Sequence, residues 1–179
     1  MTVVRVIGCG NPDAGDDAAG ILALAEARAA LEAIPGVEVV PRASPLEVVH
    51  LLDGADAIVV VDAIRTPAAG RAGGTLVRAE AGPTGLPAEI HSSLSSHGLG
   101  IAEAVGLAAA IGPSPRVVVI GVEAEETAAG RPLSQAVEAA LPRLGRMIVA
   151  EARALAGEAE RAAANGPTGP TRGDPSARR

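Results

Sequence analysis

Val3-Val4-Arg5-Val6-Ile7-Gly8-Cys9-Gly10-Asn11-Pro12-Asp13-Ala14-Gly15-Asp16-Asp17-Ala18-Ala19-Gly20 is the stretch on which the fold turns. Its first five residues are mostly β-branched and favour a pleated, buried strand, and Gly8 then permits a sharp turn. After the Gly-rich turn, Ile21, Leu24, Ala25, Leu31 and Ile34 recur at helical spacing until Pro35-Gly36 stops the pattern. Arg28 interrupts that stripe, but its long stem can lie along the core edge with the guanidinium in water.

The alternation continues downstream. Val37-Glu38-Val39-Val40 reads as a second strand, Pro45 to Leu52 as a second helix, and Ala57 to Val61 as a third strand running into Asp62. Gly74-Thr75-Leu76-Val77-Arg78 is expected to pair as a fourth strand at a sheet edge, within a region dense in Gly and Pro. Ile101 to Ala110 reads as an Ala-rich helix and Arg116-Val117-Val118-Val119-Ile120-Gly121 as the last of five strands. A closing helix begins near Ser134, a suitable N-cap, and sets Val137, Ala140, Leu141, Leu144, Met147 and Ile148 on one face. Pro142 is expected to kink or divide it. Strands separated by helices imply βαβ crossovers, hence an α/β three-layer sandwich with a mostly parallel sheet and helices on both faces.

A chain of 179 residues with 48% apolar residues is long enough for one domain with its own core, placed at residues 1–156. From Gly157 to Arg179 the composition turns Gly/Pro/Ala/Arg-rich without apolar periodicity, and such a tail cannot offset its ordering entropy. Residues 165–179 are therefore expected to be mobile. There is no Phe, Tyr or Trp, so the core must be aliphatic, and Arg is the only strong cation because Lys is absent. A net charge of -6 without aromatic stacking surfaces leaves nucleic-acid binding nothing to rest on. One cysteine, Cys9, excludes an intramolecular disulfide, and the opening residues pass directly into a strand, so the expected compartment is the cytoplasm. No apolar run reaches the roughly 18 to 20 residues a membrane span requires, and no membrane association is expected.

Three side chains stand at strand-to-loop transitions: Asp17 in the Gly-rich turn, Asp62 after the third strand, and His97 in Ser95-Ser96-His97-Gly98-Leu99-Gly100. Open α/β sheets place their binding crevice at the carboxyl edge, where these residues would converge. Two carboxylates and an imidazole leave coordination positions open, as in a catalytic or metal-sensing site. Asp16 is assigned to capping, because a carboxylate at a helix N-terminus accepts orphan N–H groups and complements the macrodipole. His50 lies in an apolar helical frame and suits a core or half-exposed role, whereas His91, beside a loop, remains an alternative to His97. Gly8-Cys9-Gly10 invites a nucleotide-binding reading, but Asp13, Asp16 and Asp17 would repel phosphate oxygens. Cys9 as a covalent nucleophile lacks an assured base nearby.

The joint pattern Gly8-x-Gly10-Asn11, Asp16-Asp17-x-x-Gly20, Val61-Asp62-Ala63, Ser95-x-His97-x-x-Gly100 and Gly121-Val122-Glu123, with Leu133 before the last helix, resembles the hydrogenase maturation endopeptidases. It spans about residues 1–155. The resemblance implies a twisted five-stranded sheet flanked by helices, and a peptidase that removes the C-terminal extension of a nickel–iron hydrogenase large-subunit precursor once nickel is inserted. It further implies that Asp17, Asp62 and His97 bind nickel carried by that precursor, the partner whose C-terminal segment is cut. The hydrolysis so implied would be of aspartyl or metal-dependent type, in which either the ion polarises the scissile carbonyl or a carboxylate activates water. Asp17 stands where many members carry Glu, and Pro41-Arg42-Ala43-Ser44 where many carry an Asp-Gly-Gly-Thr type turn. That second departure supports a rival reading as a non-catalytic nickel-binding assembly module.

Overall fold

The computed structural model describes residues 2–65, 70–82, 85–87, 103, 105–107, 110 and 115–164. Five strands form one sheet: β1 (Val4–Gly8), β2 (Val37–Val40), β3 (Ala57–Ile64), β4 (Leu76–Glu80) and β5 (Arg116–Glu123), in the order β2-β1-β3-β5-β4. β1 pairs parallel with β2 and β3, and β3 parallel with β5, while β4 lies antiparallel at one edge. The largely parallel α/β sheet expected from the alternation of patterns is present, with the fourth strand at an edge.

The sheet is covered on both faces, which is why its central strands are continuously apolar. All eight residues of β3 are buried. Helix α1 (Ala19–Glu32) and helix α3 (Gln135–Ala164) pack Leu24, Leu31, Leu144, Ile148 and Leu155 against Val4, Val6, Val59, Val61, Val118 and Ile120. On the other face, Val48 and Leu52, from and just after helix α2 (Pro45–Leu51), join Leu86 and Val105 over Ile7, Ile58, Val60, Ile64, Val117 and Val119. Each fully buried Val, Leu or Ile contributes roughly 1.5 to 3 kcal/mol of transfer free energy, so these two aliphatic layers hold the sheet together. Helix α2 starts with a capping box: Ser44 Oγ accepts from the Glu47 N–H, and the Glu47 carboxylate accepts from the Ser44 N–H at 2.7 Å.

Division of the last helix at Pro142 and its end at Gly157 are corrected. Pro142 does not divide α3, which runs unbroken from Gln135 to Ala164. Buried Val137, Ala140 and Leu141 before the proline and Leu144 and Ile148 after it keep both halves docked, outweighing one lost backbone bond. The helix also continues past Gly157, where the composition changes, because Leu155 and Ala156 are buried and Glu158 pairs with Arg116 at the start of β5. Arg78 of β4 forks onto Glu151 of α3 at 2.8 and 2.7 Å, tying the edge strand to the same helix. Residues 103, 105–107 and 110 are helical, as expected for part of Ile101 to Ala110. The expected tail at residues 165–179 lies outside the described residues.

Candidate active site

The strand order 2-1-3 makes the carboxyl ends of β1 and β3 a topological switch point, where an open α/β sheet leaves a crevice. The chain leaving β1 turns sharply there. Gly10 has φ of 120°, and a Cβ added to it would stand 1.9 Å from the Asp17 carbonyl oxygen and 3.7 Å from Asp62 Oδ1. Only glycine fits between the two acidic residues. Gly20 brings the start of α1 equally close, since a Cβ there would meet the Val61 carbonyl at 2.4 Å and the Cys9 carbonyl at 2.7 Å. The Cys9 N–H in turn donates to the Val61 carbonyl at 2.8 Å.

These close approaches bring Asp17 and Asp62 together. Asp17, half-buried in a 3-10 turn spanning Gly15–Ala18, accepts from the Asn11 N–H through Oδ2 at 2.9 Å. Asp62 is 8% exposed, and its Oδ1 accepts a local bond from the Ala63 N–H at 2.9 Å. Its position corrects the sequence reading: it does not end β3 but lies two residues inside it, paired in register with Gly121. Burial, and then the negative charge of Asp17, push the Asp62 carboxyl from 3.8 up to about 8. Burial, followed by the charges of Asp62, Asp17 and Glu47, also pushes the Cys9 thiol up, holding it neutral and inert as a nucleophile. A pocket that disfavours added negative charge this strongly also argues against a bound pyrophosphate.

Asp16 does something the sequence reading missed. It is wholly buried, and instead of capping its own turn its carboxylate receives three backbone N–H groups from the loop after β5. Oδ2 accepts from Glu125 at 2.8 Å and Glu126 at 2.9 Å, and Oδ1 accepts from Ser134 at 2.6 Å. Burial raises its pKa, but the bonds from Glu126, Ser134 and Glu125 outweigh that effect and leave it below the ordinary value. Its capping role therefore falls partly on α3, through Ser134, the expected N-cap, whose Oγ accepts from the Val137 N–H at 3.3 Å. A second buried acid, to which the sequence pattern gave no role, is Glu123, 4% exposed at the end of β5, opposite Ile64 in the register that sets Asp62 against Gly121.

His97 and His91 lie outside the described residues, and His50 is exposed near the end of α2. Among the described residues no group of three His, Cys, Asp or Glu side chains is arranged to hold a metal ion. What the described residues do supply is a pair of neighbouring carboxylates, a hard oxygen donor set suited to a divalent cation.

A sequence model described as HycI, hydrogenase maturation protease, matches residues 42–151. The chain belongs to the hydrogenase maturation protease family. It is accordingly a hydrolase, an endopeptidase, and the family match includes the positions of Asp62 and His97 but begins after Asp17. Among solved structures it is similar to the hydrogenase maturating endopeptidase HybD from Escherichia coli, with a TM-score of 0.69 and 24% identity over 86% of this chain and 93% of that one. It is also similar to the [NiFe] hydrogenase maturation protease HycI from Thermococcus kodakarensis, at 26% identity and a TM-score of 0.59, with 86% and 93% of the two chains covered. A solution structure of an endopeptidase from Escherichia coli shares the fold at a TM-score of 0.71 and 23% identity, again over 86% and 93%. No curated protein sequence matches the chain. No described helix is long and apolar enough to cross a membrane.

Proposed function

We propose that this hydrogenase maturation protease removes the C-terminal extension of a nickel–iron hydrogenase large-subunit precursor, and that nickel already seated in the precursor is what it recognises. The observation that carries the reading is the adjacency of Asp17 and Asp62 at the β1/β3 switch point of a family member. Without a cation, one proton stays on Asp62 near neutral pH, because two carboxylates held together in a buried pocket resist joint ionisation. A divalent ion presented by the precursor compensates both charges and displaces that proton. In this proposal Asp17 and Asp62 give oxygen ligands, His97 gives an imidazole, and the precursor's own ligands occupy the remaining positions. Cleavage then reports completed metal insertion, since an empty precursor offers nothing to offset the carboxylate pair. We also propose the cytoplasm as the compartment, where a lone buried thiol such as Cys9 stays reduced.

The test is cleavage of a purified large-subunit precursor, with and without nickel, by the unaltered protein and by Asp17→Asn, Asp62→Asn and His97→Ala. Shortening is expected only for the nickel-loaded precursor and the unaltered protein. Equal cleavage of the nickel-free precursor would overturn metal recognition, and a stable complex without shortening would point to a binding module.

A further inference from the structure

We infer that Asp16 is the positioning residue of the active site: by clamping the loop between β5 and α3, it fixes the turn that presents Asp17. The inference rests on the site reading above and adds a residue to it. In a 3-10 turn successive side chains diverge by about 120°. Adjacent acids in Gly15–Ala18 therefore point in different directions, and the structure uses both. Asp16 turns into the protein and takes the N–H groups of Glu125, Glu126 and Ser134, while the Asp17 carboxylate turns toward the Asn11 N–H.

The clamp is continuous on its backbone side. The Asp16 N–H donates to the Glu126 carbonyl at 2.7 Å, the Gly15 N–H to Arg131 at 3.1 Å, and the Gly130 N–H to Asp13 at 2.7 Å. Gly15, at φ of 54°, is itself wedged against that loop, since a Cβ there would meet the Glu126 carbonyl at 2.5 Å. The turn has no side-chain cap of its own, so its orientation comes from this loop rather than from local propensity. Asparagine cannot replace Asp16 in the clamp. With its oxygen at the Oδ2 position, its amide group faces the Ser134 N–H; in the flipped orientation it faces both Glu125 and Glu126. Either way a part-buried N–H loses its acceptor. The released turn would let Asp17 drift from Asn11 and from Asp62.

The experiment compares Asp16→Asn with Leu155→Ala, a core truncation in α3 that lowers stability without touching the turn. Both are studied well below their melting temperatures, alongside the unaltered chain. Three quantities are read: hydrogen exchange at the Asn11 amide, which reports its bond to Asp17, nickel(II) affinity by calorimetry, and kcat for the nickel-loaded precursor. Asp16→Asn should lose Asn11 protection and weaken nickel binding about tenfold or more, with kcat falling alongside, while Leu155→Ala keeps all three. Retention of Asn11 protection and nickel affinity in Asp16→Asn overturns the inference, as does an equal loss in Leu155→Ala. Failure of the unaltered protein to bind nickel or to cut the precursor removes the site reading itself, and this inference with it.

Discussion

Asp62→Asn should stabilise the protein at pH 8 and leave it nearly unchanged at pH 4. The folded-state pKa of Asp62 is raised from 3.8 to about 8, so between those values the native state keeps a proton that the unfolded chain has released. Stability linked to this group is complete below pH 4 and declines as pH rises, until the folded protein also ionises near pH 8. At about 1.4 kcal/mol per pH unit the whole decline amounts to about 6 kcal/mol. Relaxation and water entry around a buried ion reduce such penalties to several kcal/mol, which gives a working range of about 3 to 6 kcal/mol. Asparagine keeps an oxygen to accept the Ala63 N–H and carries no charge, so it removes the decline without removing the local bond. The assay is urea unfolding of both proteins at intervals from pH 4 to 9. Taking the difference between them cancels the opposite contribution of Asp16, whose lowered pKa makes its stabilisation fall away in acid. A difference that stays flat across this range, or Asp62→Asn being the less stable at pH 8, would refute the burial argument.

The same proton competes with cations: nickel(II) affinity of the isolated protein should fall by about tenfold per pH unit below pH 8, and a calorimetric titration showing no pH dependence contradicts it. Two buried glycines should respond oppositely to a methyl group. Gly20→Ala drives a Cβ into the Val61 and Cys9 carbonyls and should cost about 3 kcal/mol or prevent folding. Gly145→Ala, in α3, meets only Ala23 O and Ala27 Cβ at 3.8 Å and should stabilise by about 0.5 to 1 kcal/mol through helix propensity. Thermal melts decide both, and equal destabilisation would show that the close approach at Gly20 is not the cause. Pro142→Ala, at an exposed helical position, should restore a backbone bond and raise stability by about 1 to 3 kcal/mol; an unchanged melting temperature would show that α3 had already adapted to the proline.

What could be read from the sequence was whatever is local. β1, the glycine turn and α1 follow from periodicity and chain geometry within about thirty residues, and the largely parallel sheet follows from alternation of such units. Asp17 was legible because it shares a turn with Gly10 and Gly15. Asp16 was not, because its three donors lie 109 to 118 residues downstream and nothing in the neighbouring residues announces them. Asp62 was placed beside the Gly-rich turn but with the wrong boundary. An apolar run ends at a charged residue, yet β5 continues the ladder to Ile64, and pairing with a neighbour decides where a strand stops. Pro142 and Gly157 misled for the same reason: tertiary burial along one face of α3 overrides local breakers.

The wholly aliphatic core gives this enzyme an unusual transparency. With no Phe, Tyr or Trp anywhere in the chain, it is nearly dark in the near ultraviolet, and its emission there carries no background. A tryptophan in a precursor's C-terminal segment would therefore report docking and release by itself, in real time and without a label. The same darkness makes ordinary absorbance readings of protein concentration fail, so stoichiometries for this chain have to come from peptide-bond absorbance or amino-acid analysis.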